Sequence, residues 1–251
     1  MDLLFITPIL FFFISFIFSM LGMGGAQVYI PILFWLGMDF KTQAIPLGML
    51  LNIVNSSSAA ATYKKKKLID WKVAKPFGLA MVLLAPLGAW LNISLPTKPV
   101  ILIFALFTAA SAILILSGWK PKRGEFSSKE RIILGISGGS VLGFFAGLIG
   151  RGGGSFVVPL LYIAGLGAKT AAATSAFVVT CSGTSSFLSH IFTAAKPNWS
   201  IWILSVFSVL IGSQLGSHLM ATKLKSKYIK TIFGTILLVV AVILILQNFL
   251  L

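Results

Sequence analysis

Ten apolar runs separated by short polar loops restrict the possible fold of this chain more than any other feature. The first run, residues 3–21, contains no charged side chain and has nearly the ~20 residues that an α-helix needs to cross a bilayer. The mean hydropathy of the chain is +1.00 and only 10% of its residues are charged, so a soluble domain could not cover its apolar surface. We therefore predict an all-α polytopic membrane protein.

The charged residues of the chain lie mostly in the loops between these runs. Lys and Arg number 20 against five Asp and Glu, which gives a formal net charge of +15. In a soluble chain this excess would indicate a nucleic-acid partner, but beside apolar runs it reports orientation in a membrane. We predict the lipid bilayer as a partner and no nucleic acid. The runs lie at about 3–21, 26–36, 42–62, 72–95 and 99–118, and at about 131–149, 154–166, 170–192, 200–220 and 230–250.

The second half of the chain repeats the first at a fixed offset. GMGGAQVYIPIL at 22–33 matches GRGGGSFVVPLL at 150–161, and the offset of 128 holds without a gap for nearly seventy residues. Such a long register indicates an internal duplication. We predict two transmembrane repeats, 1–118 and 131–251, joined by a cytoplasmic linker, 119–130.

The distribution of basic residues predicts that the two halves are inverted. They crowd into KKKKLIDWKVAK in the first half and into KLKSKYIK, one loop later, in the second. If all ten runs change sides and these loops are cytoplasmic, 16 basic residues lie inside and only Lys41, Lys98 and Lys196 lie outside. Five crossings per half then give inverted repeats with both termini outside, an arrangement common in secondary transporters.

The second run of each half is short and follows a glycine motif. It has only about 11–13 residues, so the chain must break or tilt there. Irregular backbone within a membrane is tolerated where protein or a cavity covers it. A helix that begins at such a break presents free N–H groups and its positive dipole end to an anion. The motif glycines predicted to bind an anion are Gly24, Gly25, Gly152, Gly153 and Gly154.

Arg151 stands within the second glycine motif, at the position that Met23 occupies in the first. Its guanidinium is a planar fork that matches the oxygens of a sulfonate, carboxylate or phosphate. We predict that Arg151 binds the substrate and that the site is chemically asymmetric. The alternatives are that the glycines serve only close helix packing and that the arginine extends to lipid headgroups.

Polar side chains in and near the third runs are predicted to complete the site. Three of them in the first half are spaced i, i+3, i+4 and share one helix face, and two others directly follow the glycine motifs. They either line a cavity between the repeats or bond to neighbouring helix backbone. These candidates are Gln27, Asn52, Asn55, Ser56, Ser155, Thr180 and Thr184.

The doubled motif resembles the signature of a known family. GMGGAQVYIPIL and GRGGGSFVVPLL, each about fifty residues before a loop that ends in tryptophan (LIDW and KPNW), look like the TauE/SafE family of sulfite and sulfonate exporters. The resemblance spans nearly the whole chain. It implies a bacterial or archaeal inner-membrane carrier of small anions such as sulfite, sulfonates or thiosulfate.

No pattern in the sequence indicates an enzyme, a cofactor or a metal site. Cys181 and His190 could suggest a nucleophile and a base, but nine helical residues place them on opposite helix faces. Metal-ligand spacing and a phosphate-binding loop are not recognisable in the sequence. We predict a transporter that needs no cofactor; the alternative is an anion channel or a membrane assembly partner.

Overall fold

A computed structural model describes residues 3–118, 126–150, 153–222 and 227–250 of the chain. The residues described there form ten α-helices, and the predicted all-α class with short second helices is confirmed. Six of the helices are long and apolar enough to cross a membrane. The helices are α1 (Leu3–Leu21), α2 (Ala26–Trp35), α3 (Ile45–Lys65), α4 (Trp71–Ser94), α5 (Thr97–Leu116), α6 (Ser128–Ile149), α7 (Gly154–Ile163), α8 (Ala168–His190), α9 (Trp199–Thr222) and α10 (Lys227–Leu250).

Side-chain caps fix several helix starts. Asp70 accepts a hydrogen bond from the backbone N–H of Lys72 and so begins α4. Ser127 and Glu130 form a reciprocal capping box at the start of α6. Residues 119–125 of the predicted linker lie outside the described part of the chain.

Glycines allow α6 to pack directly against the backbone of α4. Gly139 of α6 faces Phe77 of α4, and Gly147 faces Ala85. A methyl group at Gly147 would lie only 1.9 Å from the carbonyl oxygen of Ala85, so the two backbones are in contact. Residue numbers rise together along the two helices, which therefore run in the same direction.

Helices α1 and α9 make the equivalent contact between the halves. A methyl group at Gly212 would lie 2.4 Å from the carbonyl oxygen of Phe12, and one at Gly216 would lie 2.0 Å from that of Phe16. The GxxxG spacing of these glycines predicts close helix packing, and this role is confirmed. Helix α9 runs in the same direction as α1.

Helices α3 and α8 cross at the centre of the molecule and run in opposite directions. A methyl group at Gly183 of α8 would lie 3.0 Å from Nδ2 of Asn52 on α3. Further along α3, the Ser56 hydroxyl lies 3.1 Å from that of Thr180. Residue numbers therefore fall along α8 as they rise along α3.

Helix α8 runs parallel to α4, its other neighbour. The Ser185 hydroxyl donates a hydrogen bond of 2.8 Å to the carbonyl oxygen of Val82. One turn earlier on both helices, Gly78 faces Cys181. Both contacts advance in the same direction.

Helix α3 runs parallel to α9, which completes the relation between the halves. Ser213 donates to the carbonyl oxygen of Asn55 at 2.7 Å, and Ser217 donates to the Thr62 hydroxyl at 3.2 Å. Helices α1, α3 and α9 thus run one way, and α4, α6 and α8 run the other. The first and third helices of one half oppose those of the other, so the predicted inversion of the halves is confirmed.

The short helices α2 and α7 turn back from the long helices that precede them. The ring of Phe11 on α1 contacts that of Tyr29 on α2 with centroids 5.1 Å apart, although the chain reverses at Gly22 to Gly25 between them. In the second half, Gly138 of α6 faces Leu160 of α7. With ten residues each, the short helices are about 15 Å long, half the span of a membrane helix. The first four helices of each half alternate in direction, as predicted.

The outer surface of the bundle is apolar. Helix α4 exposes Leu79, Leu83 and Leu87 at four-residue spacing, together with Trp90. A continuous apolar stripe of this kind suits lipid rather than water. The chain is a multi-pass membrane protein.

Candidate functional site

The first glycine break has a conformation that only glycine adopts easily. Gly22 and Gly24 have φ angles of +64° and +66°, in the left-handed region. Space is also limited, because a methyl group at Gly24 would lie 1.9 Å from Oδ1 of Asn52. The chain can therefore reverse here and bring the start of α2 against α3.

Asn52 caps the start of α2 from the neighbouring helix. Its Oδ1 accepts hydrogen bonds from the backbone N–H of Gly25 at 2.9 Å and of Ala26 at 3.3 Å. These are two of the donors that the glycine motif predicts for an anion, and in this structure an amide oxygen of the protein occupies them. The other amide atom, Nδ2, is buried and makes no hydrogen bond within the described part of the chain.

The second glycine break repeats the backbone geometry of the first only at its start, where Gly150 matches Gly22. At its end the two breaks differ, because the N-cap Gly25 of α2 has a φ angle of −146° and lies outside the left-handed region. Gly150 and Gly153 have φ angles of +64° and +69° and flank Arg151 and Gly152, which lie outside the described residues. Helix α7 begins directly afterwards, with Gly153 as its N-cap.

The two breaks meet at the centre of the molecule. A methyl group at Gly154 would lie 2.2 Å from the carbonyl oxygen of Met23, so the start of α7 touches the loop before α2. On the other side, Gly24 faces Val179 of α8 as well as Asn52 of α3. The structure thus brings the N-terminal ends of two short helices, one from each half, to a common centre between α3 and α8.

Among the residues that the structure describes, no side chain caps α7 in the way that Asn52 caps α2. The position equivalent to Asn52 is Thr180, whose hydroxyl lies 2.8 Å from the carbonyl oxygen of Ala176 and 3.1 Å from the Ser56 hydroxyl. Ser56 in turn donates to the carbonyl oxygen of Asn52 at 2.7 Å. These hydroxyls bind helix backbone, as one of the two interpretations of the polar stripe predicts.

The remaining candidates differ in their surroundings. Asn55 is fully buried, and neither of its amide atoms has a hydrogen-bond partner among the described residues. Ser155 is buried and its hydroxyl lies 3.0 Å from that of Ser111 on α5. Gln27 is buried beside the first break, whereas Thr184 is exposed on α8 and donates to the carbonyl oxygen of Thr180.

One buried side chain binds a backbone carbonyl just before each break. The sequence analysis did not assign either of these residues to the site. The Tyr63 hydroxyl donates to the carbonyl oxygen of Ser19 at 2.8 Å, and the His190 ring binds that of Gly147 at 2.9 Å. Ser19 and Gly147 are equivalent under the offset of 128. Tyr63 and His190 are one position out of that register, so a search of the repeat alone does not pair them.

Comparisons with known proteins agree with this architecture. The family model described as sulfite exporter TauE/SafE matches residues 8–244. A probable membrane transporter protein of Sinorhizobium fredii is 26% identical over 92% of this chain and 94% of its own length. One of Bacillus subtilis is 26% identical over 88% and 90%, and one of Methanocaldococcus jannaschii is 23% identical over 94% of both chains. No solved structure matches the chain.

Three observations lead to one assignment. The family model covers nearly the whole chain, the relatives align over nearly their full length, and the helical bundle has two glycine breaks at its centre. The resemblance carried by the doubled glycine motif is confirmed. The chain belongs to the TauE/SafE sulfite exporter family and is a membrane transporter.

Proposed function

We propose that this protein is a secondary carrier in the inner membrane that moves small sulfur-containing or organic anions, such as sulfite, sulfonates or thiosulfate. The anion binds where the two glycine breaks meet, between halves of opposite direction. The observation that carries this proposal is the contact between the start of α7, at Gly154, and the loop before α2, at Met23. It places two helix N-termini, with their positive dipole ends, at one buried point.

The two helix starts contribute differently to the proposed site. Asn52 already satisfies the first amides of α2 with a neutral oxygen. At the start of α7 no side chain of the described residues supplies such an oxygen. We therefore place the anion at α7, where the backbone amides, Ser155 and the guanidinium of Arg151 surround it. In this proposal Nδ2 of Asn52 and the amide of Asn55, which have no hydrogen-bond partner within the described residues, face the anion.

The glycines suit this role for a steric reason. A side chain at Gly154 would enter the backbone of the opposite break, and side chains at a break keep an anion away from backbone amides. Charge-assisted hydrogen bonds to an oxyanion are worth about 1.5–3 kcal/mol each in such surroundings.

The opposite direction of the halves supports a carrier. In inverted-repeat transporters the two halves can exchange conformations, so that a central site opens to one side at a time. The site described here lies at the crossing of α3 and α8, one from each half. Both termini are proposed to lie outside, as the positions of the basic loops predict.

The test is transport by the purified protein in liposomes. We expect saturable flux of at least one member of a panel of sulfite, thiosulfate, sulfonates and carboxylates, with protein-free liposomes as the control. The proposal would be contradicted if no anion of the panel entered the liposomes faster than it enters protein-free liposomes. Single cysteines placed on both sides of the breaks separate a carrier from a channel, since a carrier exposes the two sides alternately and a channel exposes both at once.

A further inference from the structure

Buried side chains hold the C-terminal end of α6, immediately before the second glycine break; one of them is Ser186, whose hydroxyl donates to the carbonyl oxygen of Ala146 at 3.4 Å. The last four carbonyls of any α-helix lack partners within the helix. His190 on α8 binds the carbonyl oxygen of Gly147 at 2.9 Å, and Nδ2 of Asn92 on α4 donates to that of Leu148 at 2.6 Å. Both side chains are 1% exposed, so water does not compete for these carbonyls.

The hydrogen bond to Gly147 requires a proton on Nε2 of the His190 ring. A carbonyl oxygen only accepts, so Nε2 must carry the proton that it donates. A neutral histidine with the proton on Nε2 and a cationic histidine both supply this donor. The contact therefore orients the helix end rather than delivering a proton to it.

The backbone of Asn92 is in turn bound by Lys41. The ammonium of Lys41, in the π-helical turn Phe40–Ala44 before α3, donates to the carbonyl oxygens of Asn92 and Leu95 at the end of α4. The chain of contacts runs from Lys41 through the end of α4 to Leu148, two residues before the start of the break at Gly150.

The first break is held more simply. Among the described side chains, Tyr63 supplies the donor to Ser19, whose carbonyl oxygen also accepts from the backbone N–H of Gly22 at 3.2 Å. The Tyr63 hydroxyl also lies 3.4 Å from the carbonyl oxygen of Met20; Ser19 and Met20 are the residues equivalent to Gly147 and Leu148. The positions equivalent to His190 and Asn92 are Thr62 and Met220. The more elaborate support thus belongs to the break that contains Arg151.

We propose that His190 and Asn92 are positioning residues that set the orientation of the last turn of α6 and, through it, of the backbone amides at the start of α7 that the proposed function assigns to the anion. Neither side chain needs to touch the anion. The part of this inference that concerns anion affinity rests on the proposed function, whereas the part that concerns the backbone of the break does not.

The test measures the break and the affinity separately. Hydrogen–deuterium exchange of a peptide spanning residues 144–160 should accelerate about fivefold or more in His190→Thr and in Asn92→Met, which copy the first repeat, because a buried hydrogen bond is lost in each. His190→Gln, whose amide can donate to the same carbonyl, should return exchange to within about twofold of the original protein. Tyr63→Phe should accelerate exchange of residues 16–30 and leave 144–160 unchanged.

The second readout is the dissociation constant of whichever oxyanion the original protein transports. His190→Thr should weaken binding at least fivefold, His190→Gln should restore it, and Ser94→Ala, which removes an exposed hydroxyl at the end of α4, serves as the control. Unchanged exchange at 144–160 in folded His190→Thr and Asn92→Met, or a Gln variant as impaired as Thr, would overturn the proposal. If exchange changes as expected but no oxyanion binds even the original protein, the proposed function fails while the positioning role stands.

Discussion

A single amide can complete a helix end and shape a binding site when its two polar atoms face different partners. Oδ1 of Asn52 accepts two backbone N–H groups of α2, while its Nδ2 remains unbonded within the described residues and buried. An unsatisfied buried donor is costly, of the order of 1–3 kcal/mol. Such a group is retained where something else binds it, and an anion at the neighbouring break is a suitable acceptor.

Substitution of Asn52 separates its two roles. Asn52→Asp keeps the oxygen that caps α2 but brings a carboxylate to the proposed anion site. We expect thermal stability near that of the original protein and affinity for the transported oxyanion lowered by tenfold or more through like-charge repulsion. Asn52→Ala should instead lose about 1 kcal/mol of stability with the cap. Thermal unfolding in detergent and equilibrium binding distinguish the two results, and an Asp variant of unchanged affinity would place the anion elsewhere.

Arg151 gives the sharpest test of the proposed site. Arg151→Met copies the first repeat and should weaken binding roughly ten- to a hundredfold, because a charge-assisted contact worth about 1.5–3 kcal/mol is lost. Arg151→Lys keeps the charge but not the planar fork, so it should reduce discrimination among oxyanions more than binding itself. Lys196→Met is the matched control that removes one exposed cation from a loop that is predicted to lie outside. Wild-type affinity in folded Arg151→Met protein would identify the arginine as a headgroup anchor.

At the scale of helices, the sequence predicted most of what depends on local pattern. Predicted runs such as 72–95 and 200–220 match Trp71–Ser94 and Trp199–Thr222 closely, because apolar runs and their bounding loops are local signals. The partners of polar side chains were less accessible. For Asn52 the sequence leaves open whether the side chain lines a cavity or bonds to a neighbouring helix, because its bonds to the start of α2 depend on how the two breaks fold against α3. His190 and Tyr63 were missed because a carbonyl bound by a distant side chain leaves no mark in the sequence.

Because the backbones of α4 and α6 are in contact, the effect of a Gly→Ala substitution on stability should depend strongly on its position along α4. A methyl group at Gly88 would lie 1.9 Å from the carbonyl oxygen of Phe144, whereas one at Gly78 would lie 3.4 Å from the sulfur of Cys181, an ordinary contact. Gly88→Ala should therefore destabilise the protein by about 1–3 kcal/mol or more. Gly78→Ala should be neutral or slightly stabilising, because alanine favours helix over glycine. Thermal unfolding of both variants in detergent checks this, and equal effects would show that α4 and α6 are not in backbone contact.

At the scale of the whole molecule, the directions of the helices lead to a topology that can be tested. The start of α1 and the end of α10 lie at the same end of the bundle, because Trp35 at the end of the returning α2 donates to Gln247 near the end of α10. The positions of the basic loops predict that this end lies outside. A reporter that works only outside the cytoplasm should be active after residue 251, and one that works only in the cytoplasm should be active when inserted into the loop of Lys64 to Lys67. The reverse pattern would invert the proposed orientation.

The energetics of transport follow from where the titratable groups lie. Of the five carboxylates in the sequence, Asp39, Asp70 and Glu130 lie in loops or a first helical turn. Asp2 and Glu125 belong to the N-terminus and the linker of the sequence and lie outside the described residues. His190 is bound to Gly147, and His218 is exposed on the side of α9. Transporters that couple to protons carry relay carboxylates within their membrane helices. The positions of these carboxylates offer no candidate for such a relay.

We therefore expect the membrane potential alone to drive the anion outward. A potential of 100 mV is worth about 2.3 kcal/mol for each elementary charge. For a monovalent anion this corresponds to a shift of roughly fiftyfold in its equilibrium distribution. Liposomes that contain the protein and hold a potassium diffusion potential should show this shift, and it should reverse when the potential is reversed. A distribution that follows an imposed pH gradient and ignores the potential would show that a proton accompanies the anion, which would require a relay through groups other than these carboxylates.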